Sequence, residues 1–449
     1  MIPMAENTVS EPFMKSKTLN RQILDLALPS ILAGITIPLV GMADTAISGR
    51  LGSATAIGGI AIGSTLFDLL YWNFGFLRIG TAGLTAQAFG RGDKAEMVRT
   101  GLQGLAVALG FSLVLLLIQW PFAQVILWLS PSSAEVEALA REYFFIRIWA
   151  APAVLALFVF RGWFIGMQNT VASMVMDVVI NVSNIGLSIY LALSLGMGLR
   201  GIALGTVAAQ YIGILCGLVL LLISYRNMSR YVSLGSVFRK DGWKRYFSLS
   251  GNLFIRSVCM LLIYTGFTFL AAKYGDTLLA VATIMMKLLL LFAYFVDGFA
   301  YAGEALTGKF IGAGNKLLLM RSVKLLFVWS AVVGIVSTFL YIIGDQWLLR
   351  LMTTTPEVIR AAQPFLPWLY SMPLISCLTF MWDGIFIGAT AGKALRNTMI
   401  ISVVAFYAAY MITEGQIGIQ SLWVGYAAHL VARSAAQTLM ARKHVFNAI

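Results

Sequence analysis

The sequence predicts an all-α integral membrane protein of twelve transmembrane helices, set out as two six-helix lobes related by a pseudo-twofold axis along the membrane normal. Three observations lead to that fold class. The composition is too apolar for a surface facing water, the long apolar runs come in an even number, and the second half of the chain repeats the first.

Of 449 residues, 59% are hydrophobic and only 11% are charged, where a soluble domain carries about 25% charged residues. No soluble core hides that much apolar surface, so lipid is the solvent for most of the chain. The formal charge of +13 would point to nucleic acid in a soluble protein. Here the basic residues fall in short loops between apolar runs, where they set orientation and meet anionic headgroups, so membrane lipids are expected as partners and nucleic acid is not. Cys216, Cys259 and Cys377 all lie within apolar segments and read as small core residues. With His429 and His444 the only histidines, neither a His-based metal site nor any other cofactor is expected.

A helix needs roughly 20 apolar residues to cross a bilayer. Segments of that kind run over residues 24–49, 54–82, 96–121, 138–164, 170–194, 201–224, 246–271, 277–307, 322–343, 358–386, 395–412 and 418–441. They are continuously apolar and do not alternate, which excludes a β-barrel. An even count puts both termini on one side. Loops on that side hold twenty Lys and Arg residues, against six (Arg50, Arg141, Arg200, Lys273, Arg350 and Arg360) on the other. Positive charge stays inside, so both termini are expected in the cytoplasm and the chain in the plasma (inner) membrane. The polar start of the chain has no small-residue cleavage site after a short apolar stretch and reads as a tail. The expected organisation is a tail over 1–22, an N-lobe over 23–225, a basic linker over 226–245, a C-lobe over 246–441 and a tail over 442–449.

The linker separates halves that echo each other. Gly90-Arg-Gly92-Asp-Lys94 returns as Gly312-Ala-Gly314-Asn-Lys316, and Arg161-Gly-Trp-Phe-Ile-Gly166 returns as Asp383-Gly-Ile-Phe-Ile-Gly388, both at an offset of 222. Arg50-Leu-Gly52 returns as Lys273-Tyr-Gly275 at 223, and Gly198 and Gly205 return as Gly418 and Gly425 at 220. Each repeat holds six spans, so both halves sit the same way up. Two such halves are a recurring transporter plan, with a cavity that opens to each side in turn.

Charge inside hydrocarbon costs several kcal/mol, so acids there are functional candidates. Asp44, Asp68, Asp177, Asp297, Glu304 and Asp383 qualify. Asp44 lies in the outer half of the first span, beyond Pro29 and Pro38. Proline removes a backbone hydrogen bond and bends a helix, and an apolar cavity disfavours a charged carboxylate, so protonation of Asp44 is expected to couple to bending; the plain alternative is an acid that reaches the outer interface or pairs with Arg50. The fifth span carries Asp177, Asn181, Asn184 and Ser188 at spacings of four, three and four, on one face. This face either lines an N-lobe cavity beside Asp44 or hydrogen-bonds to another helix. Asp297 and Glu304 share a face of the eighth span, and Arg256 and Lys287 stand at membrane depth nearby. Pairing among these polar C-lobe groups, with Asp383, is the plain structural alternative to a role in coupling. Arg78, Arg147 and Arg161 either reach for the interface or pin helices together.

With those residues in place, the chain resembles the multidrug and toxic compound extrusion (MATE) transporters, in their DinF-like branch. The resemblance runs over about 20–440 and is carried by the stretch from Pro38 to Asp93, by VDGFAYAGEAL at 296–306 and by WDGIFIGAT at 382–390. It implies two six-helix lobes about a central cleft and efflux of small cationic or amphipathic compounds against inward proton or sodium flow. It also implies that Asp44 carries the coupling proton. In the family pattern the fifth span supplies an Asn and, four residues later, an Asp. Here Asn184 matches the Asn and Ser188 stands at the Asp position, which leaves Asp44 as the N-lobe carboxylate and weakens a sodium site there.

The expected function is therefore a secondary active multidrug antiporter, a monomer driven by the proton gradient, whose partners are small-molecule substrates, protons and lipids. Sodium-coupled export and flipping of a lipid-linked substrate are the alternatives. An enzyme is not expected, because the sequence has no His–carboxylate cluster, paired-Cys motif or Ser–His arrangement, and Gly90-Arg-Gly92-Asp-Lys94 lacks the spacing that cradles phosphate. A passive channel would want charge rings or a filter loop.

Overall fold

The computed structural model describes residues 18–50, 54–129, 133–232, 235 and 240–449. Within them, the side chains at 37–39, 42, 44–45, 48–49, 54, 56–57, 68–69, 126–129 and 240–241 are not described. Among the described residues, twelve rods make the N-lobe and the C-lobe. The N-lobe holds α1 (Leu19–Gly49), α2 (Ala54–Trp72 and Phe76–Arg91), α3 (Lys94–Leu129), α4 (Ala134–Arg147 and Ala151–Gly166), α5 (Thr170–Ile189) and α6 (Gly198–Tyr225). The C-lobe holds α7 (Lys240–Ala272), α8 (Asp276–Gly312), α9 (Lys316–Met352), α10 (Pro356–Ala362 and Leu366–Gly388), α11 (Gly392–Ile417) and α12 (Gln420–Ala441). Ten helical stretches among the described residues are long and apolar enough to cross a membrane. The other two rods, α1 and α12, have 31 and 22 residues. At about 1.5 Å per residue, both exceed the roughly 30 Å of a hydrocarbon core. α12 is less apolar because its inner face carries His429, Arg433 and Gln437, all buried. Large apolar side chains face outward along the rods, as on Ile223, Phe269, Ile343 and Leu439, which is the arrangement a lipid solvent selects.

Three of the spans expected to be continuous are broken by single 3₁₀ turns, at Asn73–Gly75, Ile148–Ala150 and Gln363–Phe365. Pro152 and Pro364, which lack an N–H, stand at or just after two of these breaks. Both ends of the linker expected over 226–245 are helical among the described residues. A 3₁₀ turn over Arg226–Tyr231 follows α6, and α7 starts at Lys240, so Lys244 and Arg245 ride on the first turns of a membrane helix.

The repeat is visible in the packing. The caps and the close approach described next have counterparts 222 residues on, and the break at Ile148–Ala150 has one at Gln363–Phe365, whereas the break at Asn73–Gly75 has none in the continuous α8. Asp93 Oδ1 caps α3 by accepting from Glu96 N, and Asn315 Oδ1 caps α9 by accepting from Leu318 N. A Cβ on Gly90 would lie 2.0 Å from the Lys309 carbonyl oxygen, and one on Gly312 would lie 2.1 Å from that of Gln87. These two contacts are symmetry mates and join the lobes. Only glycine lets the α2 and α8 backbones come this close. Phe76–Arg91 of α2 packs across the lobe boundary on α7, α8 and α10, while Ala54–Trp72 packs mainly on α4 of its own lobe. The lobes therefore close on each other at the end of the bundle where α1 begins and α12 ends, here called the terminal end.

Candidate functional site

The N-lobe face begins with α1. Proline has no N–H to give the carbonyl four residues earlier, and Thr170 Oγ1 takes that place by donating to the Asp25 carbonyl at 3.4 Å, beneath half-buried Pro29. The helix then runs unbroken to Gly49. The side chains of Pro38, Asp44 and Asp68 lie outside the described residues. The polar face of α5 divides between two neighbours. Asn181 Nδ2 donates to Thr36 Oγ1 of α1 at 2.5 Å, two turns before Asp44. Asn184 Nδ2 donates to Thr206 Oγ1 of α6 at 3.0 Å, and Ser188 is buried against Gly205. Asn184 Oδ1 and Ser188 Oγ have no hydrogen-bond partner among the described residues. Asp177, at the terminal end of the same face, accepts from Arg161 Nε at 2.6 Å. Arg161 thus ties α4 to α5.

The larger polar group lies between the lobes, in a cavity of about 620 Å³. From the N-lobe it is lined by Tyr71, Trp72, Arg78 and Phe158. From the C-lobe it is lined by Arg256 and Tyr264 of α7, Tyr294, Asp297, Tyr301 and Glu304 of α8, and Phe380 and Asp383 of α10. Glu304 is 0% exposed and accepts from Arg78 NH1 at 3.2 Å. The Arg78 guanidinium lies 4.5 Å from the centre of the Tyr301 ring. This ion pair crosses from α2 to α8 and so joins the lobes. The second Glu304 oxygen has no partner among the described residues.

Asp383 carries more. Arg256 NH2 donates to its Oδ2 at 2.7 Å, Arg433 NH2 donates to the same oxygen, and Gln437 Nε2 donates to Oδ1 at 2.7 Å. Asp297 faces the cavity between these two assemblies and has no hydrogen bond or ion pair among the described residues. The expected pairing is thus redistributed. Arg256 meets Asp383, Glu304 takes Arg78 from the other lobe, and Lys287 meets no acid among the described residues. Lys287 instead lines a separate apolar pocket of about 400 Å³ on the far side of Trp72 and Tyr264, whose rings touch edge to face at 6.1 Å.

Arg433 and Gln437 were not singled out from the sequence. Their signal is the four-residue spacing of His429, Arg433 and Gln437 on α12, the same kind of stripe that marks α5. Among the described residues no three His, Cys, Asp or Glu side chains converge as a metal group.

At the terminal end the cavity is closed by the glycine contacts and by hydrogen bonds between lobes. Gln87 Nε2 of α2 donates to the Gly388 carbonyl and to Thr390 Oγ1, both at 3.1 Å, and Gln168 Nε2 donates to the Ala305 carbonyl at 2.8 Å. Gln168 and Thr390 are themselves 222 apart, each in the turn after a lobe's fourth helix. They are the non-glycine residues with positive φ among those described, at 61° and 52°.

The family model MatE matches the chain twice, over residues 29–190 and 253–412, one match per lobe. The chain is 32% identical over 429 residues to DNA damage-inducible protein F of Escherichia coli strain K12, spanning 95% of this chain and 92% of that one. It is 22% identical over 446 residues to a probable multidrug resistance protein NorM of Thermotoga maritima, spanning 94% and 92% of the two. A solved structure described as the outward-facing conformation of a multidrug resistance MATE family transporter has a TM-score of 0.86 at 17% identity, over 98% of this chain and 99% of that one.

Proposed function

The chain belongs to the MatE family of membrane transporters, and on that premise we propose that it is a proton-driven exporter of small organic molecules, working by alternating access. The observation that carries this is the cavity of about 620 Å³ between the lobes. It is sealed at the terminal end, walled by aromatic rings and supplied with three acids at membrane depth. Aromatic walls with a few polar groups accept varied amphipathic and cationic compounds. The charge pattern of the loops supports a cytoplasmic terminal end in a plasma (inner) membrane, so the cavity described would be the outward-facing state. The chain acts as a monomer and needs no cofactor on this reading.

Two places offer a carboxyl for the proton. Asp44 is the N-lobe candidate, on a helix with two prolines. Glu304 is the group whose charge the lobe contact itself uses, because protonating it removes the partner of Arg78 across the boundary. Inward proton flow through such a group would loosen the seal after each release of substrate. The experiment is transport by purified protein in liposomes, with proton and sodium gradients imposed one at a time. Export of a fluorescent cation driven by the pH gradient in sodium-free buffer is the expected outcome.

A second reading, sodium coupling, has one observation in its favour. Asn184 Oδ1 and Ser188 Oγ are buried oxygens without partners among the described residues, one turn apart on α5. Oxygens so placed suit a hard monovalent cation. Export that runs only on the sodium gradient would favour this reading.

A further inference from the structure

A second polar pocket lies at the terminal end, apart from the transport cavity. Its volume is about 290 Å³, and it sits where α7, the α10–α11 turn and the segment Arg442–Phe446 meet. Every ionisable side chain lining it is basic: Arg245 on α7, Lys393 on the first turn of α11, and His444. Arg91, and Arg99 with its ion-pair partner Glu96, stand near enough for the arginine charges to act on Arg245. Like charges gathered in this way repel, and a bound anion offsets the repulsion. α11 begins inside the pocket with no side-chain cap, so backbone N–H groups of its first turn add to the positive end. Arg245 is already held by donating to Gln87 Oε1 at 2.7 Å, which reduces the ordering cost of a bound ligand.

The surroundings favour a lipid over a soluble anion. The pocket lies at the ends of two membrane helices, at headgroup depth. Two to three turns deeper on the Lys393 side of α11, Ile401 and Val404 are exposed, a strip on which an acyl chain can lie. Basic pockets between helices at this level suit phosphate headgroups. We propose that this pocket binds the phosphate of an acidic phospholipid in the leaflet at the terminal end.

The test is native mass spectrometry of the full chain in detergent, titrated with phosphatidylglycerol, phosphatidylcholine or inorganic phosphate. The wild type is expected to retain a phosphatidylglycerol that Arg245→Gln with Lys393→Gln binds about tenfold more weakly, with no difference for phosphatidylcholine. Lys393→Gln alone, which leaves the Arg245–Gln87 bond intact, is expected to fall between the two. A control with the same loss of charge on exposed residues elsewhere at that end, Lys316→Gln with Arg321→Gln, is expected to bind as the wild type does. Equal retention by the pocket double variant and the wild type overturns the proposal, and so does an equal loss in the control. Displacement of phosphatidylglycerol by inorganic phosphate at equal concentration also overturns it, because the site would then take free phosphate.

Discussion

Among single residues the governing fact is that charges kept out of water must be matched. Asp383 serves two buried guanidiniums, and its side chain is 10% exposed. Asp383→Asn leaves both with a neutral partner, and removing one member of a buried ion pair costs about 3–5 kcal/mol. A marked drop in the Tm of the detergent-solubilised protein is expected, and Arg256→Gln is expected to lower it less because Arg433 still meets the carboxylate. An unchanged Tm for Asp383→Asn would show that the cluster is not a structural keystone. Glu304 is different, because its partner belongs to the other lobe. Glu304→Gln is expected to reduce proton-driven export at least about tenfold while the protein still folds and elutes as the wild type does. Asp44→Asn is expected to abolish such export, again with folding intact, and export at the wild-type rate would remove Asp44 from the mechanism. These acids were legible in the sequence because a carboxylate in an apolar run is conspicuous. Their partners were not, since Arg256 reaches Asp383 across 127 positions and Arg78 reaches Glu304 across 226. An arginine in a membrane helix also reads equally well as an interface residue, which is why Arg433 passed unnoticed.

Helices bring a second constraint, the distance at which two of them can pack. α2 and α8 approach through Gly90 and Gly312, and any Cβ there would sit about 2 Å from a carbonyl oxygen of the other helix. Gly312→Val is expected to hold the terminal end ajar. Thr307→Cys, fully buried in the sealed state, placed in a chain with Cys216, Cys259 and Cys377 replaced, reports this by its labelling rate with a membrane-impermeant maleimide. Faster labelling in the Gly312→Val background is expected, and labelling no faster than in its parent would mean that the seal does not depend on this approach. Gln87→Ala, which removes the bonds to Gly388 and Thr390, is expected to act in the same direction more weakly, since each bond contributes about 1 kcal/mol. The repeated Gly-x-Gly turns were legible as turns, and their offset revealed two lobes. That the same glycines hold the lobes together was not legible, because sequence spacing says nothing about which backbone a helix meets. The 3₁₀ breaks at 73–75 and 148–150 were missed for a related reason: an apolar run reads as one helix whether or not its hydrogen bonds shift register.

On the scale of the whole molecule, two lobes share one cavity and one seal, with Glu304 placed where its charge meets Arg78 of the other lobe. The twelve spans and the lobes followed from composition and repeat, since lipid allows so few backbone solutions. The cavity did not follow, because it is made of residues from α2, α4, α7, α8 and α10 that only the packing brings together. The coupling ion is decided by what each ion needs from its site. A proton needs a single carboxyl in a suitable setting, whereas sodium needs several oxygens at once. The deciding measurement is the initial rate of export from liposomes holding the purified protein, with the pH gradient and the sodium gradient set independently. Full export is expected on a pH gradient in sodium-free buffer, with added sodium changing the rate less than about twofold, or about 0.4 kcal/mol. Export that continues on a sodium gradient with the pH gradient collapsed, and stops without sodium, would contradict this expectation.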